Sequence, residues 1–403
     1  MIGRPEWADM GESPLVRVGL AAAAIHLVVL PLGHVTAVRS LSLALALAVA
    51  VIVWWRDGAR WPPLAALFPV WLAAACLSLL STTDFSASIA AIYGEIVRSA
   101  LVYFVYFTLC RRANALAPLA WATAIGSLLL AGLALHMAVT NDRWVHGVLP
   151  ALGDYATTAV TLIPLLVVVI WHADMKLRSI SALALAGLIV GGYLTYSRGF
   201  WLTLFCAVAT VAVVSACRSR RLGWKTVLSL TIAGILAIAL AALVAEQRGS
   251  TLTRFADRSA IYLPVALKIL HNPLTGTGYG HETDRAWYRT VPGMDSQVFH
   301  AHNIVLSYLD QMGPLGLLVV FVIFGLPARH FLDRRRRRET IPFALAGLAL
   351  LATVFVKNNL DFFFTGANLW LFFAHLGIYS GWIAWGEEMA QAGRQPTRAG
   401  GQP

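Results

Sequence analysis

Twelve runs of apolar residues, each long enough to cross a bilayer as a single helix, recur along the 403-residue chain. They cover roughly 15–33, 40–55, 63–81, 88–110, 114–136, 155–172, 178–196, 199–217, 225–245, 303–327, 342–357 and 363–385. Inside hydrocarbon every backbone N–H and C=O must find a partner within its own segment, so such runs are predicted to be helical. With 58% hydrophobic and 13% charged residues, a water-soluble globule is excluded. The fold class is an all-α polytopic membrane protein of about twelve transmembrane helices. Helices 1–9 fall in residues 1–245 and helices 10–12 in 303–386. Between them, 246–302 is one long polar loop expected to hold short helices. Residues 387–403, rich in Gly and Pro, are expected to form a disordered cytoplasmic tail. The first run, with Arg17 just inside it, reads as a retained span rather than a cleavable leader.

A net charge of +11 suggests nucleic acid until the charges are placed. With a cytoplasmic N-terminus, twenty Lys and Arg fall in the short loops and tails on the inner side. The opposite short loops hold four, Arg39, Arg143, Arg198 and Lys357. Orientation in a membrane accounts for the basicity, and membrane lipids rather than nucleic acid are the expected surroundings. The run "DRRRRRE" at 333–339 reads as a cytoplasmic stop in contact with anionic lipid. This orientation puts the 246–302 loop outside, with His300 and His302 at its end. Cys76, Cys110, Cys206 and Cys217 lie in or beside apolar runs without metal-site spacing, so neither a structural disulfide nor zinc is expected.

Few residues on that outer side carry chemistry. Arg198 lies in "TYSRGFW" (195–201), between two spans without other charge. It either meets an anion or snorkels to the interface. Arg258 lies near the start of an amphipathic helix containing "SAIYLPVALKIL". It suits a phosphate at a helix N-terminus, or pairs on the surface with Asp257 or Glu282. "GTGYG" (276–280) lacks the Lys-Ser/Thr of a phosphate loop and reads as a tight turn that lets backbone approach a ligand or a helix. Glu95 and Arg98, three apart in the fourth run, share a helix face and read as a structural salt bridge, the alternative being a polar cavity. In "HAHNIVLSYLDQMG" (300–313), His302 is placed to cap the tenth span and suits a general base. Asn303 would orient it or bond a substrate hydroxyl. An interfacial histidine and a His300–His302 metal pair are the alternatives, the second disfavoured because no carboxylates stand at ligand spacing. Together these residues describe an outward site with arginines for an anion and a histidine for a proton.

Three of these stretches, in order, resemble one family. "TYSRGFW" resembles the Ser-Arg-Gly hairpin of bacterial O-antigen ligases and polymerases. "DRSAIYLPVALKILHNPLTGTGYG" resembles their arginine, helix and Pro-x-x-Gly-x-Gly segment, and "HAHNIVLSYLDQMGPLGLL" their His-x-His-Asn opening of a helix. The resemblance spans roughly residues 140–325. It implies a C-type glycosyltransferase-like fold and a metal-independent, inverting transfer without cofactor. It also implies an undecaprenyl-diphosphate-linked glycan donor, reached from the periplasmic face of a Gram-negative inner membrane. Carried over by motif, Arg198 and Arg258 would bind the donor diphosphate and His302 would be catalytic. His300, Asn303, Arg98 and Glu95 would support them. Arg143, in "DRWVHGVLPALGDY", matches an outward arginine of the family by position, whereas the family's Asn near Gly153-Asp154 has no counterpart.

Relatives differ in acceptor. Ligases use lipid A–core oligosaccharide, polymerases a further repeat unit, and protein O-oligosaccharyltransferases a Ser or Thr hydroxyl. One long loop and no soluble domain look most like a ligase with a lipid A–core acceptor. A lipid-linked glycan transporter is the reading from another class. It would explain buried arginines but would not require His302.

Overall fold

The computed structural model describes residues 13–112, 115–140, 152–195, 198–219, 255–291, 300–335 and 340–392, together with Gly234 and Ala239. Among the described residues it is helical, with no strand. In chain order the helices are α1 (Pro14–Val29), α2 (Thr36–Arg56), α3 (Leu67–Ser78), α4 (Phe85–Ala91), α5 (Arg98–Cys110), α6 (Leu116–Thr140), α7 (Leu152–His172) and α8 (Met175–Leu194). After them come α9 (Arg198–Ser219), α10 (Phe255–His271), α11 (His281–Thr290), α12 (Ile304–Met312), α13 (Pro314–Arg334), α14 (Ile341–Leu360) and α15 (Gly366–Ala392). A π-helical turn, Ile92–Val97, joins α4 to α5 without a break.

Capping chemistry sets several of these boundaries. Asp84 and Asp174 accept the backbone N–H of Ala87 and Leu177, each at 2.9 Å, and start α4 and α8. Asn303 starts α12. Gly313, at φ 60°, ends α12, and Pro314 at the first position of α13 restarts the chain in a new direction. The predicted tenth span is therefore two helices.

Seven described helices are long and apolar enough to cross a membrane: Thr36–Arg56, Phe85–Cys110, Leu116–Thr140, Asp154–His172, Met175–Leu194, Pro314–Arg334 and Ile341–Leu360. This makes the chain a multi-pass membrane protein. The predicted count of about twelve is not reached among the described residues. Pro14–Val29, Leu67–Ser81 and Gly199–Val214 are apolar but shorter, and nearly all of the 225–245 run lies outside the described residues. The 246–302 segment does hold two short helices, α10 and α11.

Burial sorts the bundle. The spanning window of α7 is 78% buried inside the protein and that of α2 28%, so α7 is interior and α2 faces outward. Along α15 every residue from Asn368 to Gly381 is buried, which makes it the central helix, in contact with α5, α7 and α14. Close approach of α5 rests on "GIYSG" (377–381), whose two glycines share one face of α15. A Cβ on Gly377 would come within 2.8 Å of Tyr106 Cβ, and one on Gly381 within 2.6 Å of the Phe107 carbonyl.

α15 also continues to Ala392, past the boundary at 386 expected from composition. Its last turns are tied down by charge. Glu388 pairs with Arg111 and with Arg60 (2.9 Å), and Glu387 pairs with Arg334 (3.6 Å). Residues 393–403, and 336–339 of the basic run, lie outside the described residues.

Gly381→Val is expected to force α5 and α15 apart and to destabilise the protein by about 1–3 kcal/mol. Thermal unfolding in detergent measures it, and an unchanged midpoint would contradict the close packing.

Candidate active site

At one end of the bundle the segment 300–303 meets the α14–α15 connection. The chain turns sharply there because His302 sits in the left-handed region, at φ 51°. Three hydrogen bonds hold that turn. The His302 backbone N–H donates to Nδ1 of His300 at 3.2 Å. Oδ1 of Asn303 accepts from the N–H of Val305 and Leu306 at 2.9 and 3.0 Å. Asn303, not His302, is therefore the cap of the helix; its Oδ1 makes the cap while its Nδ2 donates to the Asn359 carbonyl at 3.4 Å.

His302 is held by a residue that sequence reasoning did not select. Its Nδ1 lies 2.7 Å from Oδ1 of Asp361. Asp361 is the C-cap of α14, one turn beyond Lys357. Lys357 is 1% exposed. Its Nζ donates to the Asp361 carbonyl at 3.4 Å and stands 3.9 Å from Oδ2. Burial alone would raise the Asp361 carboxyl, but Lys357 and His302 outweigh it and hold the group at about 2. An ionised Asp361 can only accept, so Nδ1 of His302 donates to it and Nε2 is the ring nitrogen left for another partner. The signal for Asp361 was in the sequence: "KNNLD" sets a lysine and an aspartate four apart at the end of an apolar run.

His300 has a different role. It is buried, its ring edge-on to Phe362 and Phe363, with its centroid 4.2 Å from that of His302. Burial first, and the neighbouring His302 second, push its pKa down to about 3. It stays neutral and accepts the His302 N–H. This suits a positioning residue.

Two further polar groups line the same end. Asn368 Nδ2 donates to Asp154 at 2.8 Å and its carbonyl accepts from Thr158 at 2.7 Å, across a cavity of about 250 Å³ that also includes Pro31, Thr365 and Gly366. On the other side, "GTGYG" packs on the end of α12 through N–H bonds from Thr277 to the Asp310 carbonyl (2.9 Å) and from Gly278 to the Gln311 carbonyl (3.1 Å). The glycine turn thus serves helix contact. Gly276, at φ 70°, leaves no room for a Cβ against the Gln311 backbone. Below it Lys268 is paired with Asp310 at 3.0 Å beside a second cavity of about 570 Å³.

Glu95 and Arg98 do not pair with each other. The π turn that contains Glu95 widens the helix and moves residues three apart off a common face. Glu95 instead accepts from the Tyr279 hydroxyl at 2.6 Å and has His281 Nδ1 at 3.8 Å, and Arg98 stacks on Tyr93 and Trp370. Arg198 and Arg258 stand at the starts of α9 and α10, but their side chains, and the whole of Arg143, lie outside the described residues. The start of α9 is nonetheless next to the site: a Cβ on Gly199 would lie 3.6 Å from the Lys357 side chain.

A stability profile tests the neutral His300. From pH 6.5 down to about 3 the unfolded chain takes up a proton that folded His300 refuses, so this residue lowers stability as pH falls through that window. His300→Gln should reduce the drop in unfolding midpoint between pH 7 and pH 5. An equal drop in both proteins would mean that His300 is charged in the fold.

Comparison with known proteins bears on the segment that builds this site. No curated protein matches the chain. Residues 182–321, which contain Arg198, Arg258 and His302 but neither Lys357 nor Asp361, match a family model described as O-antigen ligase.

Proposed function

We propose that this protein is an O-antigen ligase. In this reading it transfers a glycan from an undecaprenyl-diphosphate carrier to a hydroxyl of lipid A–core oligosaccharide, at the periplasmic face of the inner membrane. The observation that carries the reading is the 2.7 Å contact with Asp361 of Nδ1 of His302, a histidine that lies inside the segment of the O-antigen ligase type. A dyad of this form fixes one imidazole tautomer and offers the other nitrogen as a base.

The step follows from that tautomer. Nε2 of His302 takes the proton of the acceptor hydroxyl as its oxygen forms a bond to the anomeric carbon of the donor sugar. The bond from that carbon to the diphosphate oxygen breaks on the opposite face, so the configuration inverts. The electron pair leaves with undecaprenyl diphosphate. Asp361 stabilises the imidazolium, and Lys357 keeps Asp361 ionised from behind. Arg198 and Arg258 are assigned to the departing diphosphate, whose growing charge they would offset without a metal ion, with Arg143 in support. The proximity of the α9 start to Lys357 supports Arg198 in that role.

His302→Ala should lower transfer by ~10²–10⁴-fold, the usual range for a lost general base. Asp361→Asn, which offers the wrong partner to Nδ1, should lower it by ~10²-fold or more. The double variant should be little worse than His302→Ala alone, because the two act as one unit. Independent, multiplying losses would break the dyad assignment.

The acceptor is tested with purified protein, a lipid-linked glycan donor and EDTA, giving lipid A–core in one reaction and a lipid-linked repeat unit in another. Product on lipid A–core alone is the expected result. Extension of the lipid-linked unit would make the protein a polymerase. Donor binding without product in either would favour a transporter.

A further inference from the structure

Among the described residues, two arginines at the same end of the bundle lack an acidic partner. Arg98 leaves the π turn with its guanidinium carbon 5.1 Å from the centroid of the Trp370 indole. Arg39, in the first turn of α2, has its own 5.7 Å from the same indole. The indole is locked in place, since its Nε1 donates to the Gly94 carbonyl of the π turn at 2.8 Å. Among the described residues neither arginine forms an ion pair, and Arg98 forms no hydrogen bond. Arg39 donates once, to the Leu32 carbonyl at 2.5 Å, while its Nε is buried without a hydrogen-bond partner.

Two like charges against one ring repel each other, and a buried N–H without an acceptor is a second penalty. An anion held by the guanidiniums would relieve both. Phosphate fits best, because its oxygens match the fixed fork of donors on each arginine. Both arginines are half-buried and so remain within reach of a ligand.

The surroundings identify the carrier of that phosphate. Beside Arg39 the outward face of α2 presents Val38, Leu41 and Leu45, 46%, 72% and 49% exposed. Tyr93, under Arg98, is 56% exposed. These apolar side chains on a spanning helix face lipid tails. A headgroup at the helix ends, with its chains along α2, would place phosphate at the arginines. We propose that Arg39, Arg98 and Trp370 form a binding site for the phosphate of a membrane lipid, next to the His302 site and independent of its chemistry.

The test uses the full-length protein in zwitterionic detergent and native mass spectrometry. It is titrated with dioleoyl phosphatidic acid, with dioleoyl phosphatidylcholine as the headgroup control and inorganic pyrophosphate as the free-anion arm. Phosphatidic acid is expected to bind in preference to phosphatidylcholine, and R39Q/R98Q to weaken it by roughly tenfold or more, as for the loss of charge-assisted hydrogen bonds. R98K, which keeps the charge, should retain more binding than R98Q and guards against a folding defect. H302A should bind phosphatidic acid as well as the unmodified protein, so failure of the transfer reading leaves this result standing. Equal binding by the unmodified protein and a monodisperse R39Q/R98Q would overturn the proposal. So would pyrophosphate displacing the lipid at equal concentration, which would make the site one for a free anion.

Discussion

A lysine ammonium inside an apolar bundle has to be answered by an anion, and the site end of this protein is arranged around that requirement. Lys357 is almost wholly buried near the end of α14, where an isolated charge would be costly by several kcal/mol. Its answer, Asp361, comes one helical turn later and ends the helix. The chain must then turn back before α15 begins at Gly366, and that turn sets the carboxylate against His302. The same ion pair therefore ends a helix, orients an imidazole and keeps a carboxylate charged.

The second constraint is the π turn at Ile92–Val97. An ordinary helix would have laid Glu95 and Arg98 on one face, where they would have neutralised each other. The wider turn sends Glu95 to Tyr279 and His281 in the 246–302 segment and Arg98 to Trp370 on the central helix. One local irregularity thus joins the α10–α12 region to the bundle and leaves a guanidinium without a carboxylate.

Much of the architecture was legible in the chain because hydrocarbon leaves so few options. Apolar runs became helices, whereas the starts at Asp84, Asp174 and Asn303 and the break at Gly313-Pro314 came from capping and backbone geometry. What misled was length taken alone. The 303–327 run is apolar enough to read as one span, yet a left-handed glycine splits it, and α15 outruns its apolar stretch because Glu387 and Glu388 find arginines elsewhere in the fold. His300, His302 and Asn303 were recognisable as a group from their spacing. Their division of labour was not, because it depends on which backbone groups and which aspartate lie opposite.

The sequence by itself determined that this chain spans a membrane many times and which segment carries O-antigen ligase character, since hydropathy and short motifs are local properties. Only the tertiary structure decided that Asp361, 59 residues from His302, is its partner, that Glu95 and Arg98 part, and that Arg39 and Arg98 converge on Trp370. The reason is physical. Inside an apolar bundle a polar group bonds to whatever the packing of distant helices brings within about 3 Å, and spacing along the chain does not encode that distance.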